Sequence, residues 1–136
     1  MGKDTKVAAD VAEADFNRFI DCMDLDINTD GMDDDEKKDL SLQKGRVTSA
    51  IMVGSLVINE DGEPVFTPQR EDTDALTFHE PTGAALMAMD RKKQSEEIAK
   101  MFAAMAAITR TNSKVFSNMK MADLKICLAV TTLFLG

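Results

Sequence analysis

Leu56-Val57-Ile58-Asn59-Glu60-Asp61-Gly62-Glu63-Pro64-Val65-Phe66-Thr67 is the stretch whose reading decides the fold. Two β-branched and aromatic runs, 56–58 and 65–67, flank a turn that contains Asp61-Gly62. Glycine accepts a positive φ at no steric cost, so Asp-Gly between such runs is a hairpin signature. Ala75-Leu76-Thr77-Phe78 predicts a third short strand that pairs with the hairpin. Pro64 and Pro68 have no N–H to give to a ladder, which confines 65–67 to an edge or to a short ladder.

Outward from this β island the hydrophobic period is helical. Residues 6–23 predict a helix, because Phe16, Phe19, Ile20 and Met23 fall at i, i+3, i+4 and i+7. Residues 33–53 predict a second. Asp33, Asp34, Asp35 and Glu36 open it, where the helix dipole favours negative charge. Its apolar face, Leu40, Val47 and Ile51, is sparse, and Gly45 weakens the helix by about 1 kcal/mol relative to alanine.

After the strands, Pro81 near a first turn predicts a helix over 81–89, since its missing N–H costs nothing there. Ser95 is placed to cap a longer helix over 96–109, with Ile98, Met101, Phe102, Met105 and Ile108 on one face. Residues 111–116 read as a linking turn or short helix. A last helix over 121–134 is apolar on nearly every side. The fold class is therefore α+β: a mostly helical single domain with a small antiparallel hairpin or three-stranded sheet. It divides into an N-terminal helix and acidic loop (1–32) and a helical and β core (33–136).

The 136 residues fit one domain with a core large enough to need no disulfide. The net charge is −8, which argues against a nucleic-acid partner, because phosphate contacts dominate such affinities. The acid is concentrated between residues 21 and 36, whereas the last forty residues are apolar and mildly basic. Cys22 and Cys127 are far apart and follow no metal spacing, so free thiols in a reducing cytosol are expected. The first ten residues lack a signal-peptide core, and Lys6 stands where a myristoylation motif needs Ser or Thr. The longest apolar run, 124–135, is too short for a membrane span.

Three constellations invite a chemical reading. Asp26-Ile27-Asn28-Thr29-Asp30-Gly31 matches the first half of a calcium loop, with Asp26, Asn28 and Asp30 as the residues a cation would use. The second half fails. Asp33 replaces an apolar position, and Lys37 stands where the closing Glu belongs, with Glu36 one residue early. An acidic, solvated loop is the reading favoured. His79 is the only histidine and has no second His to help hold a metal and no nucleophile nearby in sequence. No phosphate-binding glycine loop is present, and Arg91-Lys92-Lys93 is balanced by Glu96-Glu97. No catalytic residue, metal or cofactor is expected. Of the ten methionines, Met101, Met105, Met119 and Met121 sit beside apolar C-terminal helical faces and point instead to surfaces that receive a partner's helix. The residues proposed for this are Met101, Phe102, Met105, Ile108, Leu128, Leu133 and Phe134.

The segment Asp74-Ala-Leu-Thr-Phe-His-Glu-Pro-Thr-Gly-Ala-Ala-Leu86 resembles a signature of the tail assembly chaperones of tailed bacteriophages, the group related to the P2 and Mu tail proteins. Residues 100–109 and 121–136 resemble that family's long helix and terminal helix, and the resemblance spans roughly 55–136. It departs where His79 replaces an Arg and Ala85 an Asp. The resemblance implies a non-enzymatic function in the host cell cytoplasm. Such proteins bind the helical tape measure protein, keep it soluble, recruit tail tube protein and leave the finished particle; many also have a frameshifted longer form. Self-association is a further option for the apolar faces, and neither a nucleic acid nor a membrane is expected as partner. The alternatives are a virion structural protein at the head–tail connector and, third, a calcium-binding adaptor.

Overall fold

The computed structural model describes residues 5–25, 27–68, 74–90 and 97–135. Strands β1 (Leu56–Ile58) and β2 (Pro64–Phe66) form the hairpin, with Leu56 opposite Phe66, Val57 opposite Val65 and Ile58 opposite Pro64. Gly62 N–H donates to Asn59 O, and Asn59 N–H to Glu63 O, each at 3.0 Å. Gly62 has φ 81°, the pattern of a short hairpin loop that ends in a left-handed glycine. The Asn59 side chain stiffens the turn: its Oδ1 accepts the Asp61 and Glu63 amides, both at 2.9 Å. Gly62 is needed twice over, because any Cβ there would also collide with Cys22.

Strand β3 (Leu76–Thr77) pairs antiparallel with β2, giving the order β1-β2-β3. Of the two placements open to the proline-flanked run, the short ladder is found and the edge is not: β2 is the central strand. The bonds Thr67 N→Ser55 O (2.9 Å) and Asn59 N→Glu63 O (3.0 Å) set the two-residue period of the β1–β2 ladder. The Pro64 nitrogen therefore faces the β3 side, at the end of that pairing. There only its carbonyl is used, accepting Phe78 N–H at 2.8 Å. One face of the sheet, Leu56, Ile58, Phe66 and Leu76, is buried, while Val57 on the other is exposed.

Helix α1 (Ala9–Cys22) buries Phe16, Phe19 and Ile20, and Met23 follows them into the core, as the period predicts. It begins later than residue 6 because Lys6 and Val7 donate instead to Met52 O, at 2.7 and 3.0 Å. That bond covers a carbonyl in the last turn of α2 (Asp34–Val53). Asp33 caps α2 by accepting Glu36 N–H at 2.8 Å, and the helix runs unbroken through Gly45. Gly54 (φ 85°) ends it: Gly54 N–H reaches Ile51 O and Ser55 N–H reaches Ala50 O, both at 3.1 Å, a Schellman closure. Asp24 ends α1 the same way without a glycine, at φ 53°.

Helix α3 (Gly83–Asp90) starts two residues after Pro81. Helix α4 spans Glu97–Thr109; Ser95 and Glu96, expected at its start, and the Arg91-Lys92-Lys93 cluster lie outside the described residues. Arg110 ends α4 at φ 57°, with Thr111 N–H on Ala106 O at 2.9 Å. The link expected over 111–116 holds α5 (Ser113–Ser117), which is capped by Asn112 and runs one residue past it. Helix α6 (Met121–Leu135) follows.

Among the described residues, six helices and one small sheet make a mostly helical α+β fold. Helix α6 packs against both α2 and α4, and Phe134 meets Phe19 of α1 edge to face at 5.3 Å. The core cluster joins α1 side chains to those of the sheet and of α6, so the N-terminal 32 residues contribute to the same interior as the rest.

Two glycines should behave oppositely in urea unfolding. Gly62→Ala is expected to lose about 2 kcal/mol or more, from a disfavoured φ and the clash with Cys22. Gly45→Ala, with open space around its Cβ, should gain roughly 0.5–1 kcal/mol.

Candidate functional site

The hairpin turn is held from two sides by polar side chains. Arg18 on α1 donates Nη1 to Asn59 O at 2.5 Å and Nη2 to Ile58 O at 2.7 Å. Across the turn, Glu63 Oε2 meets His79 Nδ1 at 2.8 Å, and Glu63 Oε1 accepts Asn59 Nδ2 at 3.2 Å. The His79 main-chain N–H donates to Ile108 O at 3.1 Å, so the junction before α3 is pinned to the end of α4. Burial pushes the Glu63 carboxyl up, but the hydrogen bonds from Asn59 and His79 and the charges of His79 and Arg110 together hold it below its ordinary value. His79 and Arg110 line a small cavity of about 230 Å³ with Pro81, Thr82 and Ile108.

This pair has the parts of a base and its orienting carboxylate, but a nucleophile must also be within reach for acyl-transfer chemistry. Cys127 does not supply one. It is buried on α6, its thiol is pushed well up by desolvation and by Asp123, and it donates to Met119 Sδ at 3.7 Å. Thr82, the hydroxyl of the cavity, accepts Ala84 N–H at 3.2 Å and so caps the start of α3. In geometry the Glu63–His79 pair is a clasp between the sheet and the α3–α4 unit.

In the acidic loop, Asn28 Oδ1 accepts Asp30 N–H at 2.9 Å, and Gly31 turns the chain at φ 84°. Asp26 lies outside the described residues. No group of three His, Cys, Asp or Glu that could hold a metal occurs among the described residues. The loop is not wholly solvated, since Leu25 and Ile27 pack against the core.

The apolar residues chosen from sequence as a partner surface do not form an open face. Met105, Ile108 and Leu133 are buried in the core. Phe102, Leu128 and Phe134 are half-buried and packed against it, and Met101 is also half-buried. The face read on α4 is split by depth: Ile98, on its first turn, is 73% exposed. The physical reason is that α6 has to be covered, and α4 and α2 cover it. The open apolar surface lies elsewhere. On α3 only Ala85 is buried, while Leu86 and Met87 are 64% and 62% exposed. Sequence reading missed these two residues. Their signal was present in Gly83-Ala-Ala-Leu-Met-Ala-Met-Asp90, an apolar helix too short to bury all its sides. Among the described residues, no helix is long and apolar enough to cross a membrane.

No family model, curated protein or solved structure matches this chain.

The lowered Glu63 value implies stability that is present above the ordinary carboxylate pKa of 4.5 and is lost as pH falls through the folded value. Glu63→Gln should therefore cost roughly 1 kcal/mol near neutral pH, and the gap to the parent should close as unfolding is measured toward about pH 3. In the native protein, Cys22 should react with a thiol reagent at once and Cys127 only on unfolding, which thiol titration with and without denaturant reads directly.

Proposed function

We propose that this chain is a non-enzymatic helper that binds other protein chains, and that its work is that of a phage tail assembly chaperone. The observation that carries the binding reading is α3. A helix of eight residues with a single buried side chain presents Leu86 and Met87 to solvent. Exposed apolar side chains on a helix that covers little of its own core suit the reception of a partner's apolar face. Methionine adapts its shape to different partners, a property useful in a protein that holds a long chain before assembly. Ile98 of α4, the helix packed on α3, adds a further exposed aliphatic group to this unit.

The tail-specific part of the proposal rests on the resemblance of residues 74–86, 100–109 and 121–136 to tail assembly chaperones. It makes the tape measure protein the principal partner, tail tube protein a second one, and the host cytoplasm the place of action. The Glu80-Pro81-Thr82-Gly83 segment fits a structural role in this reading. It delivers the chain from β3 to α3, with Thr82 capping the helix.

Co-expression with a tape measure protein from the same tail gene cluster tests the proposal. The partner should move from the pellet to the soluble fraction and co-purify with this chain. The double variant Leu86→Asp/Met87→Asp, changed only at exposed positions, should keep its stability within about 0.5 kcal/mol. It should lose co-purification by at least about fivefold, as loss of a central apolar anchor does. Unchanged tape measure solubility with the parent chain would end the tail-chaperone reading.

A further inference from the structure

A second surface, between α2 and α6 and argued independently of the tail reading, has a different chemistry. Helix α2 and the first turns of α6 leave an open groove of about 760 Å³ between them. Its apolar lining comes from Leu42, Val53 and Ile126, and Leu42 is half exposed. Its floor is built from small residues, Gly45, Ser49, Ala50 and Ala122. Small side chains on a helical floor let another backbone come close. Gly45 makes this specific. It weakens α2 relative to alanine, and beyond its own turn of helix no described atom stands within 4 Å of where its Cβ would be. Among the described residues, nothing uses the space that this glycine keeps open.

The charge of the groove runs against that of the chain. The protein carries −8, yet the charged groups lining the groove are Lys38, Arg46 and Lys125, with no carboxylate among them. None of the three makes an ion pair among the described residues. Glu36 and Asp39 of α2 line a separate depression. From Lys38 to Val53 the groove follows α2 for about 22 Å at a rise of 1.5 Å per residue, the length of a helix of roughly four turns.

We propose that this groove docks an acidic amphipathic helix of a partner protein. The helix lies along α2 with an apolar ridge over Gly45, Leu42 and Ile126, and its flanking carboxylates reach Lys38, Arg46 and Lys125. The partner's ridge carries small or aliphatic residues at i, i+3, i+4 and i+7, because the floor at Gly45 admits close backbone approach.

The test is a displayed library of amphipathic helices of about sixteen residues, ranging from strongly acidic to strongly basic, sorted against the full chain. Enriched peptides should be acidic. They should bind Gly45→Phe and Arg46→Glu at least tenfold more weakly than the parent, with circular dichroism confirming that both variants keep their helix content. Their binding should be unchanged by Leu86→Asp/Met87→Asp, which separates this surface from the one on α3. The proposal is overturned if nothing enriches, if the enriched peptides show no acidic bias, or if they bind Gly45→Phe as well as the parent. It is equally overturned if the parent elutes as a dimer that Gly45→Phe breaks, which would make a second copy the occupant. Binding of the parent to phosphatidylglycerol vesicles that is lost in Gly45→Phe would assign the groove to lipid and overturn it too.

Discussion

Helix α6 has almost no polar stripe to offer water. Cys127, Ala129, Val130, Thr131 and Leu133 are buried, and Leu124, Ile126, Leu128 and Phe134 are packed against the same core. A helix apolar around most of its circumference is stable only when neighbours cover it, since each large side chain left in water forfeits about 1.5–3 kcal/mol. The remaining helices are arranged to meet that demand. Helix α2 lies along one side, α4 along another, and Phe19 of α1 closes on Phe134 near its end. Even the polar groups in this interior are accommodated: Thr131 Oγ1 donates to Cys127 O at 2.9 Å, and Asp123 sits in the first turn, where the helix dipole favours a carboxylate.

Once α6 is covered, the sheet has a defined place. Its buried face, Leu56, Ile58, Phe66 and Leu76, joins the core that α1 and α2 share. The turn at one end of the hairpin becomes the fastening point. Gly62 abuts Cys22, Arg18 reaches the β1 carbonyls, and Glu63 holds His79. Through the His79 main chain this fastening continues to Ile108 on α4. His79, which looks chemical in the sequence, thus sits at a junction between elements, where its hydrogen bond with Glu63 sets geometry. The outer side of α3 and the flank of α2 that carries Gly45 are not used by the core.

Most of the element order was legible in the sequence because the local signals agreed with the tertiary ones. The stripe Phe16-Phe19-Ile20-Met23, the acidic start of α2, Asp61-Gly62 and Pro81 each act within a few residues, so no knowledge of packing was needed to interpret them. The sequence left choices open, or misplaced a boundary, where a decision depended on a distant neighbour. Pro64 read as fit for an edge or a short ladder, and only the β3 pairing placed it in the middle strand, at a position where its nitrogen has no bond to give. Residues 6–8 have helical promise, but Lys6 and Val7 are drawn off by the free carbonyl at the end of α2.

The amino-acid sequence by itself determined the α+β class, the hairpin at Asp61-Gly62 and the helical faces that must be apolar, because periodicity and turn chemistry are properties of neighbouring residues. It could not rank one apolar face against another. Met105 and Leu86 are equally plausible contacts in a linear reading. Only the tertiary structure decided that Met105 is interior and Leu86 is open to solvent. The reason is geometric. Burial depends on which helix lies over which, and α6 takes the nearest apolar faces for its own cover. The outer sides of the short α3 and of α2 around Gly45 stay open to solvent.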